Sequence, residues 1–533
     1  MIYKLFHSPR RGDTLLTVRK RSAAYGVSTP SHSQQVRTRM QLRHNPKIYL
    51  LAIIISLCHT TNAQQITLTL PQAIEVAVDS SLQAFRAENQ YMASYWSYRS
   101  FRAGRLPSLN LNASPMDYRR DFTRRYDVIN DIDIFRRQQM LYSYGNLSLR
   151  QNLDLTGGTF FVDSELGFMR NFSNENSITQ FTSVPIRVGY SQSLFGFNSF
   201  KWERRIEPLR YQRAKTQFLQ AQEEISEVAI QHFFALAIAQ LEHDMAQANL
   251  ESAEMLYQMG QQRQEIAAIS QADLLTLRLE AVNARNSLRH ASSSLRRAMF
   301  NLVSFLNLDK QTEIKLLLPN KPAVSEILPE VALEHARMNN PSFLADRLEL
   351  LEAESQVERT KRTTNFDANI SASVGFNQAA NTFSGAYRDP LQQDIIRVGV
   401  TIPIVDWGVR KGRANMAISN LNVTKISIEQ RVMNLEQEIA MTVNDFNMQQ
   451  DLMISAEEAL SIAEMAYKAT QERFVIGRVD LNSLLLSQNR QNSAQRNYLS
   501  ALREYWMNYY KLRKLTLYDF GKRETLVREL ERF

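Results

Sequence analysis

Two long stretches of the sequence contain almost no residue that would break a helix. Between Ser199 and Gln258 the one proline is Pro208, and between Arg410 and Phe474 there is no proline and hardly a glycine. Each stretch is therefore predicted to form one helix of about 60 residues, about 90 Å long at the usual rise per residue. A compact domain does not need helices of this length, so the sequence favours an extended, mainly helical structure.

After each of these stretches, the next helical segment carries apolar residues at alternating spacings of three and four residues. Leu and Ala alternate along the stripe, which is typical of helices that pack side by side as a coiled coil at close approach. In the second half of the chain a related stripe runs through Ala494, Tyr498, Ala501, Tyr505 and Leu512. The stripe of the first half is Leu274, Leu277, Ala281, Ala284, Leu288, Ala291, Leu295, Ala298, Leu302 and Phe305.

The chain contains an internal repeat. Residues 108–114 (SLNLNAS) resemble residues 367–373 (DANISAS), an offset of 259 residues. Residues 187–189 match residues 397–399, an offset of 210, and this second offset continues through the helical stretches. Such self-similarity indicates two copies of one structural unit. Because the offsets differ by 49 residues, the first copy carries about that much extra sequence within residues 115–184.

The short matched segments alternate between apolar and small polar residues. Ala368, Ile370 and Ala372 share one face, and Asn369 and Ser371 share the other. Each segment has about ten residues, close to the 9 to 11 that a tilted strand needs to cross a bilayer. This alternation fits a strand between lipid and a wet lumen. It equally fits a half-buried strand of a soluble sandwich, and the long helices decide in favour of the membrane strand.

The extra sequence of the first copy has its own strand pattern. Residues 146–154 and 159–170 flank the turn Thr156-Gly157-Gly158, which predicts a β-hairpin. Strands in a bilayer close into a barrel. We expect this hairpin between the two strands of the first copy, on the extracellular side, where it either caps that barrel or lengthens it.

The N-terminal residues predict export. An apolar run from Ile48 to Cys58 follows Arg43 and Lys47 and precedes a small-residue cleavage site at Ala63. Ten of the 63 basic residues and one of the 54 acidic residues lie in residues 1–63, so the remainder is neutral, which argues against nucleic-acid binding. Cys58 is the one cysteine, so the exported part has no thiol chemistry.

The chain divides into six parts. Met40 is a plausible start of the signal, and we expect the folded part of the chain to begin after Ala63. The parts are an upstream extension (1–39), a signal peptide (40–63), the first repeat (64–310), a linker (311–328), the second repeat (329–517) and a C-terminal tail (518–533).

Each long helical region turns once, far from its strands. Ser270 is a candidate N-cap with Asp273 three residues on. In the second copy Gly477 suits a helix C-cap and Asp480 an N-cap. Each copy therefore reads as a long helical hairpin with a tight tip.

The two tips and two junctions resemble those of the TolC family of outer membrane efflux proteins. The similar tip segments are residues 266–275 and 474–481, and the similar strand-to-helix junctions are residues 190–196 and 402–408. The resemblance runs from about Leu70 to Leu517. It implies a homotrimer in which each protomer gives four strands to a shared outer-membrane β-barrel, continued by a coiled-coil α-helical tunnel across the periplasm.

By the same resemblance, the protein is the exit duct of a tripartite efflux pump or a type I secretion system. Its partners are then a periplasmic adaptor, an inner-membrane transporter and outer-membrane lipid. The candidate residues for the tunnel tip and adaptor contact are Ser270, Asp273, Gly477, Arg478 and Asp480. Trp202 and Trp407, just past the strand ends, are candidate interfacial anchors.

The sequence departs from the family at the tip and shows no catalytic motif. Where family members often carry a ring of acids in the tunnel, this chain has Ser483 and Leu486. We find no metal-binding histidine pattern, phosphate loop or nucleophile elbow, so we expect no enzyme, no cofactor and no metal. An exported coiled-coil scaffold of the envelope, without a pore, is the alternative. The cargo is not predicted.

Overall fold

The computed structural model describes residues 65–127, 129, 131–172, 177–266, 269–319, 326–364, 366–476 and 478–527. The predicted upstream extension and signal peptide lie outside these residues. Within them, none of the helices combines the length and the apolar character that a membrane-spanning helix requires.

The eight α-helices come in two sets of four with matching bounds. The first copy has α1 (Leu70–Ser80), α2 (Leu82–Gly104), α3 (Ser199–Glu265) and α4 (Gln271–Phe305). The second has α5 (Pro329–Asn339), α6 (Pro341–Thr364), α7 (Val409–Val475) and α8 (Leu481–Thr516). The long helices α3 and α7 have 67 residues each and start 210 residues apart, and α1 and α5 start 259 apart. The internal two-fold repeat predicted from the sequence is confirmed.

Local capping explains where the long helices begin. Asn198 precedes α3, and its side chain accepts a hydrogen bond from the backbone nitrogen of Lys201 at 3.0 Å. Gly408 precedes α7 with φ of 89°, a conformation that costs glycine little. Pro208 lies inside α3, which continues past it without a break in its assignment.

Six antiparallel strands form the main sheet. They are β2 (Ser108–Asp127), β3 (Ile132–Asn152), β4 (Thr159–Phe172), β5 (Ile178–Ser193), β7 (Asp367–Ala380) and β8 (Leu391–Thr401), in the order β2-β3-β4-β5-β7-β8. The four strands of the repeat are present as predicted. The predicted hairpin is β3 and β4, and it lies within the sheet between β2 and β5. The expected four strands per protomer are therefore corrected to six, because the extra sequence pairs edge to edge with the strands on both sides.

The main hydrophobic core lies where the long helices pass the short elements. Phe233 and Phe234 of α3, Phe446 of α7 and Tyr505 of α8 are fully buried there. The core also receives a parallel pair of short strands, β1 (Gln65–Thr69) and β6 (Glu313–Leu317). After α8 the chain turns through β9 (Tyr518–Asp519) and β10 (Glu524–Thr525), where Leu517 and Leu526 pack on Leu219. This core fixes the two copies to each other.

The predicted apolar stripe of α4 faces its neighbours. Leu277, Ala281 and Leu302 are buried, and the other seven stripe residues are half-buried. The residues between them are mostly exposed, so one face of the helix packs and the rest is free in the single chain. This arrangement agrees with the predicted coiled-coil packing.

Candidate functional site

The sheet has one apolar and one polar face, and the same rows of residues continue across five strands. Leu109 pairs with Leu149, Leu149 with Val162, Val162 with Val188, and Val188 with Val374. Leu109 is 64% exposed and Val374 57%, so this apolar row is not covered within the chain. In β8 the row meets Asp394, so the exposed apolar band crosses five of the six strands. Such a band indicates contact with lipid or with another apolar surface.

The neighbouring row, on the opposite face, is polar. Asn110 pairs with Ser148, Ser148 with Asp163, and Asp163 with Arg187. Alternate residues of a strand point to opposite faces, so the apolar and polar rows separate cleanly. A sheet with this division can lie between lipid and water.

Charged side chains lie on the polar face of β4 and β5. An Arg187 nitrogen donates to Asp163 at 2.9 Å, and the Asp163 side chain is only 9% exposed. Two residue pairs along the β3–β4 ladder from Ser148 and Asp163, Asn146 donates to Glu165 at 3.3 Å. Asp163 and Arg187 are not among the residues predicted from the sequence. Each follows an apolar residue along its strand, as Asn110 and Ser148 do, and this alternation could have placed them on the polar face.

The junction between β8 and α7 is a tightly held turn. Asp406 accepts hydrogen bonds from the Arg410 side chain at 2.6 Å, from the Arg410 backbone at 2.9 Å and from the Gly408 backbone at 3.2 Å. The hydrogen bond from the Arg410 side chain is the main reason that the pKa of Asp406 falls to about 2. The carboxylate is therefore ionised at neutral pH and the turn is fixed.

The two tryptophans proposed as interfacial anchors differ sharply. Trp407 lies in this turn with φ of 51° and is 93% exposed. Trp202 is only 8% exposed, packs with Ile206 and Leu348, and donates its ring N–H to Glu358 at 2.9 Å. A buried indole with a satisfied N–H does not reach lipid, so the anchor expected at Trp202 does not fit the structure. Trp407 stays a candidate.

The first tip connects α3 to α4 through five residues. The Ser270 hydroxyl oxygen accepts from the Asp273 backbone nitrogen at 3.1 Å, and an Asp273 carboxylate oxygen accepts from the Ser270 hydroxyl at 2.7 Å. This is the predicted capping box. The Ser270 hydroxyl and backbone N–H hold the pKa of Asp273 below its usual value. Both residues are exposed.

The second tip, between α7 and α8, has the same length and a simpler cap. Asp480 accepts from the Ser483 backbone nitrogen at 2.7 Å, which holds the pKa of its carboxyl below the usual value. Arg478 and Asp480 are exposed. Gly477 lies outside the described residues. Leu486, at one of the positions where the family often has an acid, is 52% exposed.

No cluster of three or more potential metal ligands occurs in the part of the chain that the structure describes. The four histidines of the exported part are dispersed. His232 lies against Phe305 with ring centroids 4.9 Å apart, and His335 stacks on Tyr518 at 3.7 Å. Burial lowers the pKa of both imidazoles, which favours their neutral form. Both rings are half-buried and pack against an aromatic side chain.

Part of the second copy matches a known protein family, and most of the chain shares its fold with solved structures. Residues 332–516 match the family described as outer membrane efflux protein. The chain is 13% identical to the CmeC outer membrane channel of Campylobacter jejuni, with a TM-score of 0.62, covering 87% of this chain and 88% of that one. No curated protein matches the chain.

Two further solved structures share the fold. The outer membrane protein VceC of Vibrio cholerae is 15% identical with a TM-score of 0.56, over 85% of this chain and 96% of that one. The open state of the MtrE outer membrane channel of Neisseria gonorrhoeae is 16% identical with a TM-score of 0.55, over 84% and 88%. At these identities the likeness establishes the fold.

The class of protein that the family match and the amphipathic sheet define is the outer membrane efflux channel. The residues that match the outer membrane efflux protein family lie within the second repeat. The resemblance and the outer-membrane localisation predicted from the sequence are confirmed.

Proposed function

We propose that this protein is the trimeric exit duct of a tripartite efflux pump or a type I secretion system. It conducts cargo passively from a periplasmic adaptor and an inner-membrane transporter to the cell exterior. The observation that carries the proposal is the two-faced sheet, whose strands continue into two 67-residue helices. Each helix spans about 100 Å, which suits a shaft from the outer membrane deep into the periplasm.

Open sheet edges support an oligomer. Among the strands that the structure describes, the first and last of the sheet, β2 and β8, each pair on one side only. Unpaired backbone groups are very costly in hydrocarbon, so strands in a bilayer close into a barrel. Closure needs further copies of the chain, and the number three is that of the family it resembles.

The helix tips are the proposed contact with the adaptor. Ser270, Asp273, Arg478 and Asp480 are exposed there, and the capping bonds keep both turns compact. A compact, polar tip at the end of a long shaft is suited to meet a soluble partner. Gly477, which precedes Arg478 in the sequence, is included in the proposed contact from the sequence alone.

Two measurements test the proposal. Outer membranes extracted with mild detergent should yield a trimer that dissociates on heating, and the purified trimer should give discrete conductance steps in planar bilayers. A stable oligomer without conductance would favour the envelope scaffold instead. A monomer that stays in solution without detergent would contradict both the pore and the barrel.

The adaptor contact has its own test. A photo-crosslinking residue at Arg478 should capture a periplasmic protein in cells, and the same residue at exposed Glu429 of α7, far from the tip, is the control. Equal capture at the two sites would remove the support for an adaptor contact at the tip.

A further inference from the structure

We propose that three copies of this chain close an 18-stranded barrel, with β3 and β4 as membrane-spanning strands and with β2 of each copy paired to β8 of the next. The inference rests on the proposed trimer and adds the width and the seam of its barrel. A protomer of the predicted four strands would give 12 strands in all. The structure gives six strands per protomer, and 18 strands for three protomers.

The inserted hairpin is long enough to cross a bilayer. β3 and β4 pair without interruption from Asn152 with Thr159 to Gln139 with Phe172, which is 14 rungs. A tilted transmembrane strand needs about 9–11 residues. The loop that joins them, Leu153–Gly158, lies at the same end of the sheet as the helices, because Asn198 at the start of α3 donates to the Asp154 carbonyl at 2.9 Å.

The faces of the hairpin are in phase with those of its neighbours. Leu149 of β3 and Val162 of β4 continue the apolar row from Leu109 to Val188, and Ser148 and Asp163 continue the polar row. A one-residue slip would reverse every side chain of a strand, so this agreement specifies the register. A hairpin that only capped the barrel would not need an apolar face at the level of the membrane strands.

The hairpin also separates the two strands that would otherwise meet. β4 pairs with β5 from Thr159 with Ser191 to Asn171 with Ile178, while β2 pairs with β3 along its length. Moving the hairpin into the lumen would break both ladders. The backbone groups of β2 and β5 would then need each other as partners.

The two free edges of the six-stranded sheet complement each other. All neighbours are antiparallel, so in a set of six the first strand, β2, and the last, β8, run in opposite directions. When β8 of one copy meets β2 of the next, the new pair is antiparallel, as in other membrane barrels. Leu109 and Leu111 would then continue the apolar face formed by Ile396, Val398 and Val400. The occupant of each edge is a second copy of this chain.

The extra strands change the size of the pore. Strands about 4.8 Å apart and tilted by about 40° give a barrel of about 36 Å diameter for 18 strands and about 24 Å for 12. The lumen of the larger barrel is open unless other segments fill it.

Imaging of the purified trimer measures this directly. The wild-type barrel should be about 1.5-fold wider than a 12-stranded barrel, with 18 strands in cross-section. The matched variant lacks residues 132–172, which are β3, β4 and the loop between them, so that β2 leads into β5, and its barrel should be narrower by the same factor. A wild-type trimer of 12-stranded width, with the hairpin inside or above it, would overturn this inference and leave the proposed function intact. Failure to find any trimer would instead refute the proposed function.

Labelling of single cysteines tests the hairpin without a deletion. In a Cys58→Ser background, Leu147→Cys and Tyr144→Cys place a spin label on opposite faces of β3, at side chains with similar exposure of 44% and 37%. In the reconstituted trimer, relaxation of the Leu147 label should respond to a lipid-soluble agent and that of the Tyr144 label to a water-soluble one. If both labels respond only to the water-soluble agent, β3 does not face lipid and the inference fails.

Discussion

Arg513, in the last turn of α8, connects this helix to the distant helix α3 and to the tail that follows α8. Its guanidinium lies 2.8 Å from a carboxylate oxygen of Glu223 in α3 and 3.0 Å from one of Asp519 in the tail. The exposed fractions of the three side chains are 14%, 9% and 4%. Asp519 also accepts from the Tyr509 hydroxyl at 2.6 Å. Burial alone would lower the pKa of Arg513, but the two carboxylates raise it above its usual value.

Arg513→Met retains most of the side-chain stem and removes the charge. The substitution removes the cation that contacts both buried carboxylates. Breaking a buried ion pair from one side costs about 3–5 kcal/mol, because the remaining charge is no longer compensated. The Arg513 guanidinium also lies 4.7 Å from the ring centre of Tyr510, and this contact is lost as well. We expect a loss of stability in that range.

Arg503→Met is the matched control, on the same helix and with the same change of helix propensity. Arg503 pairs with Glu504 at 2.5 Å, but the two side chains are 39% and 46% exposed. Exposed pairs contribute about 0–1 kcal/mol. Denaturant unfolding of both variants in detergent, at one protein concentration and followed by far-ultraviolet circular dichroism, gives the comparison. If Arg513→Met lost no more stability than Arg503→Met, the burial argument for this cluster would be wrong.

Three further predictions concern the tips, a junction and a helix seam. Asp480→Ala should remove the cap of α8 and weaken its first turn by about 1 kcal/mol, seen as faster amide exchange, whereas Asp480→Asn should retain the cap. Because the hydrogen bond from Ser483 lowers the pKa of Asp480, the wild-type cap should be intact above pH 3.8 and be lost as the pH falls below it, and the Asn variant should show no such loss. Gly408→Ala should destabilise the protein by about 1–2 kcal/mol, because alanine is strained at the φ of 89° that Gly408 adopts. Gly412 lies in the helix with open space around it, and Gly412→Ala should stabilise the protein by about 0.5–1 kcal/mol. Equal shifts of the melting temperature in the two variants would contradict this explanation. Leu288→Asp should cost several kcal/mol by placing a charge in the half-buried stripe of α4, and wild-type yields of folded oligomer would show that the seam is misassigned.

The helices could be predicted closely because their signals are local. The predicted stretch from Ser199 to Gln258 lies within α3, and the stretch from Arg410 to Phe474 falls one residue inside α7 at each end. Absence of proline and glycine, together with caps at Ser270 and Asp480, acts over a few residues and needs no knowledge of the tertiary structure. Because the two repeats are related by fixed offsets in sequence, a helix predicted in one repeat also predicts the matching helix in the other.

The number of strands could not be predicted in the same way. The outer halves of β2 and β3 are rich in charge, for example Asp117, Arg119 and Arg124, and lack the alternation that marks a membrane strand. The two strands are adjacent in the chain, and Arg124 of β2 forms an ion pair with Asp133 of β3, whereas Arg119 pairs with Asp117 of its own strand. Pairing is a non-local property, so the sequence predicted a hairpin without its place in the sheet.

Trp202 shows a second limit of sequence reasoning. Its position just after a strand suits an interfacial aromatic, and only the packing of α3 against α6 shows that Glu358 accepts its N–H. Both that contact and the salt-bridged Asp163 on the polar face depend on partners more than 20 residues away. Such partners are specified by the fold, not by the local sequence.

An insertion at this point of the fold must add an even number of strands. Helices α2 and α3 lie side by side, since Tyr98 of α2 stacks on Tyr211 of α3 with ring centroids 4.7 Å apart. The chain therefore enters and leaves the sheet at the same end, which is the end where the helices lie. Each added pair of strands runs once away from the helices and once back towards them. A hairpin also preserves the opposite directions of β2 and β8, so the sheet edges of neighbouring protomers still match. A single added strand would break both conditions, which explains in physical terms why the extra sequence of the first copy takes the form of a hairpin.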